Sequence, residues 1–190
     1  MTEDRPTVLV VDDEPDLADL YTAWLSADYD VRTAYGGEEA LEAASEEVDV
    51  ALIDRLMPDK SGDEVLAAIR EAGYACQVAM VTAVEPDFDI IEMGFDEYLV
   101  KPIRREELRE GVETLLKRGT YDSQLREYFS LVSKRAALET QKTPRELDES
   151  GAYGDLTDRI ETLRQQLDDT TRALDADDFE AALRKLDLED

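Results

Sequence analysis

The chain has 190 residues, enough for one domain of ordinary size and a smaller module with a core of its own. Its 48 acidic against 21 basic residues give a formal net charge of −27, which excludes a surface built to hold phosphate backbones or anionic lipid in dilute salt. The absence of histidine excludes Ser-His-Asp and Cys-His triads, imidazole metal sites and any phosphohistidine carrier.

The acidity is spread along the chain, −19 over residues 1–118 and −8 over residues 119–190, so it is not a single acidic tail. Such a surface, with lysine much scarcer than arginine, fits a protein adapted to very high salt, where screening makes the repulsion tolerable. The single cysteine, Cys76, stands just before an apolar run and reads as a packing residue. A signal-peptide pattern and an apolar run long enough to span a bilayer are both missing, and the expectation is a cytosolic protein with no membrane partner.

In chain order, the first 118 residues alternate short apolar runs with segments of helical period. The runs are Thr7–Val11, Val31–Tyr35, Val48–Ile53, Val78–Thr82 and Glu97–Val100. The helical segments are Asp16–Ala27, Glu38–Glu46, Gly62–Glu71, a short Asp87–Met93 and Glu106–Lys117. Runs such as "VDVALI" read as strands buried on both faces, which predicts a parallel sheet between two helical layers. The fold class is therefore α/β, doubly wound, and for five strands the common order is 2-1-3-4-5, with ligands outside the carboxyl ends of the strands.

That rule gathers the chemistry. Asp12 and Asp13 follow the first strand in "VLVVDDEP", Asp54 follows the third in "ALIDRLMPDKSG", Thr82 ends the fourth in "AMVTAV" and Lys101 follows the fifth in "YLVKP". Three carboxylates, a hydroxyl and an ammonium converge on one sheet edge. Like charges this close repel unless neutralised, and a hard divalent cation that prefers oxygen ligands and keeps several waters, Mg²⁺, suits the site. Asp13 is also placed to cap the helix entered at Pro15.

These four stretches, in this order, resemble the receiver domain of two-component response regulators, over about Thr7 to Arg118. The resemblance implies that Asp54 accepts a phosphoryl group from a histidine kinase or phosphotransfer protein. It further implies that Asp13 and Asp54 bind Mg²⁺ directly, Asp12 through water, and the Leu56 carbonyl completes the protein ligands. Lys101 pairs with the phosphoryl oxygens, and Thr82 and Tyr98 form the switch, with small Ala83 leaving room. Pro102 matches the family's cis-proline. Leu56 and Val84 fall beside the path of the hydrolytic water, where neither can orient it, so self-dephosphorylation is expected to be slow. Such a protein is a phosphoacceptor and not an enzyme in the usual sense. The segment "AVEPDFDIIEMGFDEYLV" is shorter than the family's usual length, which predicts a truncated or irregular fourth helix.

After "KRGT", where Gly119 is placed to close the last receiver helix, a second region begins, giving domains 1–118 and 119–190. Leu125, Tyr128, Val132 and Ala136 fall on one helical face; Leu156, Ile160, Leu163 and Leu167 keep 4-3-4 spacing, with Leu174 one heptad later. Two amphipathic helices follow, either a hairpin packed on itself or a coiled coil that makes a homodimer. Between them "TPREL" offers Thr143 as N-cap, Pro144 at the first helical position and Glu146 for a capping box, and "ESGAYG" interrupts the pattern. A short last helix, Phe179–Leu186, is expected from Asp177. The region resembles the HalX domain attached to haloarchaeal receivers, on "TPREL", the leucine heptads and "DDFEAALRKL".

The functional expectation is a response regulator whose phosphorylation switches a C-terminal helical module for self-association or protein contact. The alternative is a DNA-binding transcription regulator. Against it stand the −8 charge of that region and the dispersal of Lys134, Arg135, Arg145, Arg164 and Arg172. A third reading, a Mg²⁺-dependent aspartyl-phosphate hydrolase, would want a second aspartate two residues after the nucleophile, and that position is Leu56.

Overall fold

The near-continuous apolar runs become parallel strands covered on both sides. The computed structural model describes residues 5–187, with side chains as far as Ala173 apart from Arg126 and Ser133. Its strands are β1 (Thr7–Val11), β2 (Asp30–Ala34), β3 (Val50–Ile53), β4 (Gln77–Thr82) and β5 (Glu97–Val100). They form one sheet in the order β2-β1-β3-β4-β5, every neighbouring pair parallel.

The period of two along each inner strand divides the core into two layers. Leu9, Val11, Ala51, Ile53, Val78 and Met80 face α2 (Gly37–Ala43) and α3 (Gly62–Glu71), which supply Ala40, Val65, Leu66 and Ile69. Val8, Val10, Val50, Leu52, Ala79 and Val81 face α1 (Pro15–Leu25) and the first turns of α4 (Arg105–Gln141), which supply Tyr21, Leu25, Leu108, Val112 and Leu115. Each of the larger side chains contributes about 1.5–3 kcal/mol by leaving water, so the site rests on a rigid support.

The helix starts follow local chemistry, with one correction. Ser61 and Glu64 make a reciprocal capping box at α3. At α1 the residue before the helix is Glu14, not Asp13, and its side chain makes no capping bond. Pro15 at the first position removes one orphan donor, and the Glu14 N–H donates to Asp12 Oδ1 at 2.9 Å. The shortened segment after β4 forms only a 3₁₀ turn, Phe88–Glu92.

Among the described residues the chain falls into two compact units that divide between Gly119 and Thr120. Gly119 nevertheless does not end a helix: α4 continues to Gln141. The backbone there stays out of the left-handed region, and the next 20 residues contain no proline to force a stop.

In the second unit Thr143 and Glu146 form the expected capping box at α5 (Pro144–Asp148), and α6 runs from Gly151 to Asp187. The expected separate helix at Phe179–Leu186 is absorbed into α6, because nothing between 155 and 187 breaks the helical pattern. The distal half of α4 and α6 form a hairpin: Arg159 makes a bidentate pair with Glu127, its Nε and Nη2 both at 2.9 Å, and the Tyr153 hydroxyl donates to Glu139 at 2.7 Å. Ile160, Leu163 and Leu167 are buried by the chain itself, Leu125, Tyr128, Val132 and Leu156 are half-buried, and Ala136 is exposed. Three residues of the leucine stripe, Ile160, Leu163 and Leu167, are thus buried within one chain, as the hairpin reading expects. The side chain of Leu174 lies outside the described residues. Among the described residues no helix is long and apolar enough to cross a membrane.

Candidate functional site

Register places the acids. Val11 pairs with Ile53, so the next residues of the two strands, Asp12 and Asp54, leave the sheet side by side, and the Asp54 N–H donates to the Val11 carbonyl at 2.9 Å. Thr82 pairs with Val100, and the N–H of Lys101 donates to the Thr82 carbonyl at 2.9 Å. The Lys101–Pro102 peptide bond is cis. Lys101 Nζ donates to Asp12 Oδ2 at 2.6 Å and to Asp54 Oδ2 at 3.0 Å. Carboxylate oxygens of Asp12, Asp13 and Asp54 lie within 4.8 Å of one another.

The approach of α3 to this edge depends on glycine. A Cβ on Gly62 would stand 2.1 Å from the Asp54 carbonyl oxygen and 2.8 Å from the Cα of Arg55. The Gly62 N–H instead donates to the Arg55 carbonyl at 2.9 Å, closing the loop that carries Asp54.

The electrostatics are those of an under-neutralised pocket. Asp12 and Asp54 are buried and share one ammonium, so three carboxylates face one cation. Burial pushes the Asp12 carboxyl above its usual range, against the pull of Lys101 and the Glu14 amide. Burial alone would lower the Lys101 ammonium, but its bonds to Asp12 and Asp54 outweigh that and raise it. A hard divalent ion matches this donor set, which is all oxygen, and its unbalanced negative charge.

The remaining expected residues lie around this cluster. The Leu56 N–H donates to Asp54 Oδ1 at 3.3 Å, while the residue is 66% exposed and seals no core. Thr82 is buried, Ala83 exposed and Val84 half-buried. Thr82 and Tyr98 meet at one residue: the Val84 N–H donates to Thr82 Oγ1 at 3.3 Å, and the Val84 carbonyl accepts from the Tyr98 hydroxyl at 2.7 Å. Sequence reasoning passed over Arg55, Asp63 and Asp89, which the fold brings together beside Tyr98. An arginine after an aspartate carries no local signal, and its partners lie 8 and 34 residues away.

A five-stranded doubly wound sheet with acids and a lysine at the carboxyl edge defines a class, the receiver-type α/β domains. The response regulator receiver domain model matches residues 8–113, and the HalX domain model matches residues 117–183. The chain belongs to the response regulator receiver family, its receiver followed by a HalX domain. A protein of the haloarchaeon Haloferax volcanii is 53% identical over 160 residues, which are 84% of this chain and 27% of that protein. The transcriptional regulatory protein CiaR of Streptococcus pneumoniae is 35% identical over 74% of this chain and 66% of its own length. The chain thus spans less than two thirds of either relative. Among solved structures, a CheY-like receiver domain protein of Methanospirillum hungatei matches 62% of this chain and 98% of its own, at 25% identity and a TM-score of 0.58. The BeF3-activated DrrB receiver domain matches 58% of this chain and 96% of its own, at 28% identity and a TM-score of 0.54.

Proposed function

We propose that this chain is a phosphorylation-controlled response regulator in which Asp54 takes a phosphoryl group from a histidine kinase or phosphotransfer protein. The observation that carries this reading is the single ammonium of Lys101 held between Asp12 and Asp54 beside the open carboxylate of Asp13. An Asp54 carboxylate oxygen attacks phosphorus as the bond to the donor imidazole breaks, giving an acyl phosphate. Lys101, held by Asp12, meets the charge on the phosphoryl oxygens without having to reorganise. Asp12, Asp13, Asp54 and the Leu56 carbonyl would hold Mg²⁺, which supplies further charge neutralisation of the phosphoryl group when bound.

The phosphorylated side chain offers new acceptor oxygens to the Thr82 hydroxyl. A Thr82 that turns toward them releases the Val84 N–H, and Val84 is the residue whose carbonyl holds Tyr98. The signal thereby reaches Tyr98, and from the receiver, residues 1–118, passes to the helical unit, residues 119–190. We assign that unit a protein contact, a second copy of the chain included, and place the whole in the cytoplasm.

A second reading, transcription control by contact with DNA, has the names of relatives such as CiaR in its favour. The net charge of −8 on residues 119–190 opposes a direct grip on DNA. The test is labelling by a small phosphodonor in Mg²⁺: wild type takes up one base-labile phosphoryl group and Asp54→Asn none. Stoichiometric base-labile label on Asp54→Asn would refute the assignment.

A further inference from the structure

The residue after the phosphoacceptor carries a charge that the acceptor chemistry does not use. Arg55 is only 11% exposed in its side chain, yet it pairs with carboxylates on two elements. Its Nε lies 3.1 Å from Asp63 Oδ1 and 3.3 Å from Oδ2, and its Nη2 is 3.3 Å from Oδ2, which ties it to α3. The same Nη2 donates to Asp89, in the 3₁₀ turn that the shortened segment after β4 forms in place of a fourth helix. Asp89, then Tyr98 and Asp63, hold the guanidinium well above the ordinary arginine range, against the pull of burial.

The turn's own side chains do little to hold it, and the nearest apolar anchor is Met93, just beyond its end. Phe88 is 86% and Ile91 75% exposed, and no residue of the turn is buried. A five-residue 3₁₀ segment without buried apolar anchors belongs to the least stable part of a domain, and its position depends on its polar ties. Its ion pair starts from the residue covalently next to Asp54.

We propose that Arg55 is a positioning residue that clamps the Phe88–Glu92 turn to the acceptor loop, so that a change at Asp54 is read out at the exposed Phe88–Ile91 surface. The clamp supplies the mechanical link that a full fourth helix, packed on the sheet, would otherwise make. The inference rests on Asp54 being the phosphoacceptor. Asp63 anchors one side of the guanidinium on rigid α3, and Asp89 transmits to the turn, so the two carboxylates are not equivalent: removing Asp89 uncouples the turn, whereas removing Asp63 loosens the whole cluster.

The test uses the full chain in molar KCl with Mg²⁺, with and without beryllium fluoride as phosphoryl mimic. Fluorine NMR reads occupancy of the acceptor site, and amide hydrogen exchange reads residues 86–93. In wild type the mimic is expected to slow exchange of this segment. In Arg55→Met and in Asp89→Asn the bound-fluoride signal should persist, while the mimic's effect on the segment is lost and its basal exchange rises roughly ten- to a hundredfold, the range for one lost charge-assisted bond. The double variant should add nothing to either single one. A merely structural role would change basal exchange and leave the response to the mimic intact, and that result in Arg55→Met would overturn the proposal. A wild type without bound fluoride would overturn it together with the phosphoacceptor reading.

Discussion

Lys101→Met keeps the aliphatic stem of a side chain that is only 10% exposed and removes its charge from between two buried carboxylates. Two independent magnitudes follow. Oxygens within 4.8 Å, in a medium of effective dielectric constant about 20, repel by about 3.5 kcal/mol once the ammonium between them is gone. That repulsion is capped, because one carboxyl can take a proton, and Asp12, already pushed up by burial, is the one placed to do so. From an ordinary carboxyl value of 3.8, protonation at pH 7 costs about 4.4 kcal/mol. The expected loss at pH 7 without metal is therefore about 3.5 kcal/mol, below that ceiling, or roughly 7–14 °C in midpoint for a chain of this size. The sign of the pH dependence is set by the raised folded value: the folded state binds the proton more tightly than the unfolded one, so stability falls as pH rises above 3.8. At pH 5 the same ceiling drops to about 1.6 kcal/mol, and the gap to wild type should shrink accordingly. Added Mg²⁺ should narrow the gap at pH 7 by replacing the lost positive charge. The assay is denaturant or thermal unfolding in molar KCl, where a buried pair is little screened, at both pH values with chelator and with Mg²⁺. A loss under about 1 kcal/mol at pH 7, or an equal loss at pH 5, would refute the reasoning.

Asp13→Asn should abolish the rise in unfolding midpoint that Mg²⁺ gives wild type, and an unchanged rise would remove Asp13 from the ligand set. Leu56 and Val84 offer no polar side chain to place the hydrolytic water, so the phosphorylated wild type should decay on the order of ten to a hundred times more slowly than Leu56→Asn or Val84→Glu; equal rates in Mg²⁺ would sink this. Ile160→Asp with Leu167→Asp puts charges into the buried side of the hairpin, and far-UV circular dichroism should lose C-terminal helix while phosphorylation persists. A fully helical double variant whose mass falls from dimer to monomer would mean that these residues face a second chain instead.

Strand order, the two-layer core and the convergence of Asp12, Asp13, Asp54, Thr82 and Lys101 are legible in the sequence. They depend on local periodicity and on one topological rule, that ligand groups follow the carboxyl ends of parallel strands. The Thr143 and Glu146 capping box is legible for the same reason, since all its atoms lie within one turn. What required the tertiary structure is whatever depends on partners distant in the chain. The leucine stripe at 156–167 is equally suited to a hairpin or a coiled coil, and only the tertiary structure shows the hairpin within the chain, through the pairing of Arg159 with Glu127 and Tyr153 with Glu139. Gly119 reads as a stop because glycine permits one; helical neighbours on both sides and a backbone that never enters the left-handed region carry the helix through it. Arg55 gives no sign of its role, because its two carboxylates come from α3 and from a turn 34 residues away, brought to it by the parallel register of β3 and β4. Periodicity and strand ends are local physics and can be read from the chain; which charge meets which is decided by the folding of distant segments onto one edge of the sheet.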